Sequence, residues 1–305
     1  MTTTKNKKQE CKVIGHPVIH SLSPAMHNAA YKALGIEDEF VYSTWDVQSS
    51  VEEIVKEIKA KGIRGCAFTM PYKKDIVSLL NWVDETAKKI GAVNTVVNND
   101  GNLEGYNTDW LGVVDSLERL TDLKGKRVAI IGAGGAARAA IYGALERGAI
   151  ISDIFNRTSE HAEKLAREFS INCAIRGLDE IKEARSADIV INTTPIGMKD
   201  IAEKETPLPK EFIRPDQIIF DVVYSLEDTQ LIKEAKEQGA KVVPGTEMVL
   251  RQAVHQFFLH TGIEPTENNR KKVEQAMEEA IEEAREESRR EIKQEVREEG
   301  KEKNR

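Results

Sequence analysis

Apolar positions along this chain follow two rhythms. Short apolar runs at residues 11–15 (CKVIG), 39–45 (EFVYSTW) and 63–70 (IRGCAFTM) read as strands. Between them lie segments whose apolar residues recur three and four apart, as in residues 51–62 (VEEIVKEIKAKG), and these read as helices. One such helix follows Ser23, which stands as a candidate N-cap. Pro24 is then the first helical residue, and Gly35 stops the helix after Ala29, Ala30, Ala33 and Leu34. A turn at Pro71 leads into another short helix. Strand–helix alternation of this kind predicts parallel α/β structure.

The pattern divides the chain. At residues 120–126 (LTDLKGK) the composition breaks, and a cleaner unit begins with residues 127–149 (RVAIIGAGGAARAAIYGALERGA). Residues 10–109 are expected to form one α/β domain and residues 110–245 a second, nucleotide-binding one. A helix over residues 246–262 (TEMVLRQAVHQFFLHTG) is expected to return to the first. Residues 266–305 form a charged, helical tail without aromatics. Val273, Met277, Ala280, Ala284, Ile292 and Val296 make a thin apolar stripe there, and opposite charges recur three or four residues apart. The expectation is a solvated helix that frays toward Gly300 and is dispensable for folding.

Composition narrows the function classes. The 305 residues allow two domains, and a net charge of −7 speaks against nucleic-acid binding. No apolar run is long enough to span a membrane, and the N-terminus lacks an apolar signal core. Cys11, Cys66 and Cys173 fit neither a disulfide framework nor a metal site, which points to structural thiols in a reduced cytoplasm. His16, His20 and His27 surround a helix start and read as structural, so no metal is implied.

A strand running into glycines and then a helix marks the second domain. Gly132, Gly134 and Ala137 fit G-x-G-x-x-A, the fingerprint of a Rossmann-type fold. The loop Gly132, Ala133, Gly134, Gly135 and Ala136 would cradle a pyrophosphate. The next strand, residues 150–157 (IISDIFNR), ends in Asn156, Arg157 and Thr158 rather than in an acid. An arginine there suits a 2′-phosphate, hence NADP over NAD. Asp153 lies earlier, inside the strand, and reads as structural.

The remaining polar clusters lie in the first domain. In an extended segment Ser21 and Ser23 would point the same way, toward a helix N-terminus that favours an anion. The alternative is that Ser23 merely caps. Thr69 and Lys73 flank Pro71 at a strand end. Asn94 follows Gly91, and Asp109 precedes the second domain. Lys73 and Asp109 can form an acid/base pair, or be a surface lysine and a helix cap; spacing alone leaves both open. Lys74 reads as a surface residue.

The order of these motifs resembles the shikimate dehydrogenase family over residues 11–265: IGHPVIHSLSPAMHNAA, TMPYK, IGAVNTVV, GYNTDW, GAGGAAR, NRT, INTTPIGM, DVVY and RQAVHQFFLHTG. The resemblance implies an α/β substrate domain beside a Rossmann-type domain, with a cleft between them. It implies reversible, NADPH-dependent reduction of 3-dehydroshikimate to shikimate in aromatic amino-acid biosynthesis. Lys73 and Asp109 match its catalytic pair. Ser21, Ser23, Thr69, Asn94, Tyr224 and Gln252 match substrate positions, and Gly245 joins the cofactor set. A monomer or homodimer is expected, with small-molecule partners only. The rivals are a quinate/shikimate dehydrogenase of the same fold, usually NAD-dependent, and a non-catalytic ligand sensor. Three departures stand out: Ala67 where the family usually has asparagine, Ser225-Leu226 where it has Asn-Pro, and the tail, which lies beyond the pattern.

Overall fold

The structure, a computed structural model, describes residues 7–198 and 201–302, with side chains up to residue 291. Its first half runs β1 (Gln9–Gly15), α1 (Ser23–Ala33), β2 (Phe40–Asp46), α2 (Val51–Lys61) and β3 (Gly65–Phe68). It continues through β4 (Trp82–Val83), α3 (Glu85–Ile90), β5 (Thr95–Asn99) and β6 (Asn102–Tyr106). These strands form one sheet in the order β2-β1-β3-β5-β6-β4. The sheet is mixed, not wholly parallel as the alternation predicted: β5 runs antiparallel to both β3 and β6. The cause is local. Asp100 (φ 52°) and Gly101 (φ 90°) take the left-handed turn that reverses a chain between paired strands.

The helix α4 (Asp109–Glu118) leads into the second half. There follow β7 (Arg127–Ile131), α5 (Gly135–Glu146), β8 (Ile150–Phe155), α6 (Ser159–Glu168), β9 (Ala174–Arg176), β10 (Ile189–Asn192), β11 (Ile218–Asp221), α7 (Gln230–Glu237) and β12 (Lys241–Val243). The order β12-β11-β10-β7-β8-β9 is parallel throughout. It is the doubly wound arrangement, whose crevice opens between β7 and β10 where the strand order reverses. Val128 and Ile130 of β7, Ala137, Ala140 and Ala144 of α5, and Ile151 and Ile154 of β8 are buried in one core. The alanines let α5 lie close to the sheet.

Two helices close the chain. In α8 (Gly245–Thr261), Met248 belongs to the second core, whereas Leu250, Ala253, Val254, Phe257 and Phe258 belong to the first. The last helix, α9 (Glu267–Glu302), corrects the expectation of a solvated tail. Val273, Met277 and Ile281 are buried with Met26, Ala30 and Tyr31 of α1 in that first core, and Ala284 packs beside them. The stripe is thin, but the helices opposite it are close, so a few side chains fill the space. Charges that read as solvated instead meet a buried arginine: Arg251 of α8 bonds Glu247, Glu274 and Glu278. The helix continues through Gly300. Ile292 and Val296 lie outside the described side chains.

Candidate active site

The turn after β7 is built for a close approach. Gly132 has φ 110°, and a Cβ there would stand 2.5 Å from Thr193 Oγ1, across the crevice after β10. Gly134 differs: its backbone is ordinary, and a Cβ would meet nothing within 4 Å. It faces open space at the N-terminus of α5, where unpaired N–H groups favour a phosphate. Gly135 and Ala136 open that helix and Ala133 precedes it. Arg157, just past β8, is exposed and makes no ion pair among the described residues. Asn156 Nδ2 donates to Thr158 O at 2.7 Å, shaping the same corner. Asp153 is buried and accepts from Arg176 Nε at 2.7 Å, which occupies it structurally. Such an open glycine turn beside a free arginine fits a dinucleotide with a 2′-phosphate. Gly245 opens α8, and a Cβ there would strike the main chain of Val223 and Tyr224.

Lys73 and Asp109 meet directly. Lys73 Nζ donates to Asp109 Oδ2 at 2.6 Å, and Asp109 is only 4% exposed. Asp109 is the first residue of α4, whose N-cap is Thr108, and Asn107 Oδ1 accepts from the main-chain N–H of Asp109 (3.0 Å) and Trp110 (3.4 Å). Asn94 Nδ2 donates to Asp109 Oδ1 at 2.8 Å and to Gln252 Oε1 at 3.3 Å. Four sequence-predicted residues from four parts of the chain thus share one network. Lys74 is exposed. Thr69 sits at the end of β3, its N–H donating to Ile14 O at 2.9 Å.

The serine pair forms a second group. Ser23 is the first helical residue and not the N-cap; that place falls to Leu22, whose φ of −77° and ψ of −12° are helical. The segment is therefore not extended, and the two hydroxyls do not simply point one way. Instead Ser21 Oγ accepts from Ser23 N at 3.3 Å. Tyr224 reaches this segment from the other half, its hydroxyl donating to His20 O at 3.0 Å. Burial raises the Tyr224 phenol above its ordinary pKa, an effect that the neighbouring Ser21 hydroxyl opposes. Among the described residues no hydrogen bond joins this group to the Lys73 network.

Sequence reasoning missed the supports. Thr95, Thr108 and Gln256 are buried around Asn94 and bonded to it. The four-residue spacing of Gln252 and Gln256, one helix face, was the available signal. His27 and His260 form a second unforeseen cluster: both are fully buried, and neither has a hydrogen-bond partner. His27 stacks on Tyr42 at 4.2 Å. Among the described residues no cluster has metal-ligand character, and no helix is long and apolar enough to cross a membrane.

The family model of the shikimate dehydrogenase substrate-binding domain matches residues 13–96, and that of shikimate/quinate 5-dehydrogenase matches residues 116–220. A shikimate dehydrogenase (NADP(+)) of Geobacillus kaustophilus is 42% identical over 272 residues, covering 86% of this chain and 95% of its own. A shikimate 5-dehydrogenase of Thermus thermophilus, solved in complex with NADP(H) and shikimate, has a TM-score of 0.78 at 36% identity, covering 89% of this chain and 99% of its own. A quinate dehydrogenase of Corynebacterium glutamicum, in complex with NAD, has a TM-score of 0.77 at 30% identity, covering 88% and 99%.

Proposed function

The chain belongs to the shikimate dehydrogenase family, and we propose that the Lys73–Asp109 pair is the acid/base centre of its reaction. That reaction is the reversible, NADPH-dependent reduction of 3-dehydroshikimate to shikimate. Bound NADPH supplies the hydride that reduces the C3 ketone. The turn Gly132–Ala136 would hold its pyrophosphate, and Arg157, with Asn156 and Thr158, its 2′-phosphate. The observation that carries the proposal is the 2.6 Å contact between Lys73 Nζ and Asp109 Oδ2.

Lys73 delivers a proton to the oxygen that gains negative charge at C3, and takes it back in the oxidative direction. Asp109 keeps the ammonium aimed and accepts a hydrogen bond from the substrate hydroxyl. Asn94, Gln252 and Thr69 orient the ring hydroxyls, which confines the ketone to one approach. Ser21 and Ser23, at the N-terminus of α1, hold the carboxylate, where the helix end favours a negative charge. Tyr224 closes the cleft from the cofactor side. In this reading residues 10–109, completed by 246–262, form the substrate half and residues 110–245 the NADP half.

Free, mainly buried cysteines support a reduced cytoplasmic setting, with the enzyme a monomer or homodimer. The absence of an acid at the tip of β8 speaks against a quinate enzyme using NAD, and the intact Lys73–Asp109 pair speaks against a mere sensor. The test is steady-state oxidation of shikimate and of quinate, each with NADP and with NAD. Turnover of quinate with NAD but not of shikimate with NADP would reject the reading.

A further inference from the structure

The two carboxylate oxygens of Asp109 have different partners, and buried hydrogen bonds decide which partner meets which oxygen. Oδ2 accepts from Lys73, whereas Oδ1 accepts from Asn94 Nδ2. The second contact requires the Asn94 amide to present its nitrogen to Asp109. The main-chain N–H of Thr108 can only donate, and it lies 2.7 Å from Asn94 Oδ1. Thr95 Oγ1 donates to the same oxygen at 2.8 Å. Thr95 has one proton to give, and Gln256 determines where it goes. Gln256 Nε2 lies 3.4 Å from the carbonyl oxygen of Asn94, so that end of the amide must be the nitrogen; it then donates to Thr95 Oγ1 at 3.0 Å. The Thr95 oxygen is an acceptor for Gln256, and its proton goes to Asn94 Oδ1 at 2.8 Å, the shorter contact than Thr108 Oγ1 at 3.3 Å.

We propose that Thr95 and Gln256 are positioning residues of the reaction, which set the direction of a hydrogen-bond chain from Gln256 to Thr95 to Asn94 to Asp109. The chain holds the carboxylate in the orientation that meets Lys73. This inference rests on the reading of Lys73 and Asp109 given above. Neither residue offers a surface to substrate: Thr95 is fully buried and Gln256 is 2% exposed. Their shortest route to the chemistry is through Asn94; a longer contact joins Thr95 Oγ1 to Thr108 Oγ1 at 3.3 Å. The chain also gives the buried Thr95 hydroxyl and the Gln256 amide nitrogen their partners.

Thr95→Val removes the hydroxyl at nearly constant volume, and Thr95→Ser keeps it. Loss of one oriented hydrogen bond should lower kcat for shikimate oxidation about 10-fold in Thr95→Val. The KM for NADP should be unchanged, and Thr95→Ser should recover most of the rate. Gln256→Met, which removes the donor at similar length, should fall by a similar factor and carries the comparison if Thr95→Val does not fold. In an Asp109→Asn background, Thr95→Val should add no further loss, because it acts through that carboxylate. Wild-type kcat in Thr95→Val beside a crippled Asp109→Asn overturns the chain, and so does full additivity of the two changes. A fully active Asp109→Asn enzyme overturns the underlying acid/base reading instead.

Discussion

Lys73 lies against Gly135: its Cδ stands 3.8 Å from the point that a Cβ on Gly135 would occupy. The proposed proton donor, carried by the loop after β3, thus faces the turn that opens α5 across one narrow gap. Chemistry that joins a ring ketone to a nicotinamide needs this proximity, and both sheets direct their loops toward it.

The glycines of that turn should fail in different ways. Gly132→Ala places a Cβ at a left-handed φ and 2.5 Å from Thr193 Oγ1, so it should destabilise the fold by about 1–3 kcal/mol. Gly134→Ala meets no protein atom, so its melting temperature should stay near that of the parent while the KM for NADP rises. Thermal melts and cofactor titrations on both variants check this. A Gly134→Ala protein with ordinary NADP affinity would mean that the open space is not where the pyrophosphate lies.

Lys73→Ala should lose about 10²–10⁴ in kcat with a smaller change in KM, since a proton donor acts in the transition state. Asp109→Asn should resemble it, and the double variant should be little worse than either. Lys74→Ala, altering an exposed neighbour, is the control. Near-normal kcat with only a raised KM in Lys73→Ala would reassign Lys73 to binding.

Arg157→Ala should weaken NADP roughly 10- to 100-fold, the equivalent of one charge-assisted hydrogen bond, and should leave NAD nearly unaffected. Cofactor titration of the same protein decides it. Equal losses for the two cofactors would show that Arg157 does not read the phosphate.

A chain ending at Thr266 should be markedly less stable than the full one. It uncovers the core position of Met277, whose replacement by alanine alone should cost about 2–5 kcal/mol, and leaves buried Arg251 without Glu274 and Glu278. Urea unfolding of both lengths measures this. Coincident midpoints would return the tail to solvent.

Acid should unfold this protein partly through two histidines. Burial drives the pKa of His27 well below its ordinary value, helped by His260; burial, then the Arg64 charge, lowers His260 to about 3. Tyr31, Tyr42, Phe257 and Gln256 lie against them, and none supplies a carboxylate. The unfolded chain binds protons below about pH 6.5 that the native chain refuses. The stabilisation is therefore complete above that pH and fades as pH falls, by up to about 1.4 kcal/mol per unit for each histidine. Asp221 runs the other way: burial raises it to about 6, so its contribution is full below about 3.8 and fades as pH rises toward 6. Comparing His260→Phe with the parent cancels Asp221. The variant should lose less stability between pH 7.5 and 5 in urea melts, and parallel losses would remove His260 from the account.

Much of this architecture could be read from residue order. The run from Val128 through Gly132 to Arg138 announced strand, turn and helix because each residue type there serves one local geometry. Lys73 and Asp109 could be named as partners through family resemblance, whereas their spacing left the matter open: they are 36 residues apart, with β4, α3, β5 and β6 between them. What stayed hidden was tertiary. Asp109 is the first residue of α4 and not its cap, and it is Asn107 Oδ1 that accepts from the first N–H groups of the helix. The Asp100-Gly101 turn was a legible sign of antiparallel pairing, outweighed by the stronger alternation. The stripe on α9 looked thin because its width was judged without α1 opposite it.

The division of α8 and α9 between two cores bears on how this protein is made. By the time residue 243 has been synthesised, all twelve strands of the described residues exist. The second sheet has most of its own cover by then and can mature as a unit. The first cannot: Leu250, Phe257, Met277 and Ile281 are still to come. The half that begins at the N-terminus is therefore the last to be finished on the ribosome, and for most of translation its apolar face is exposed to chaperones and to other nascent chains.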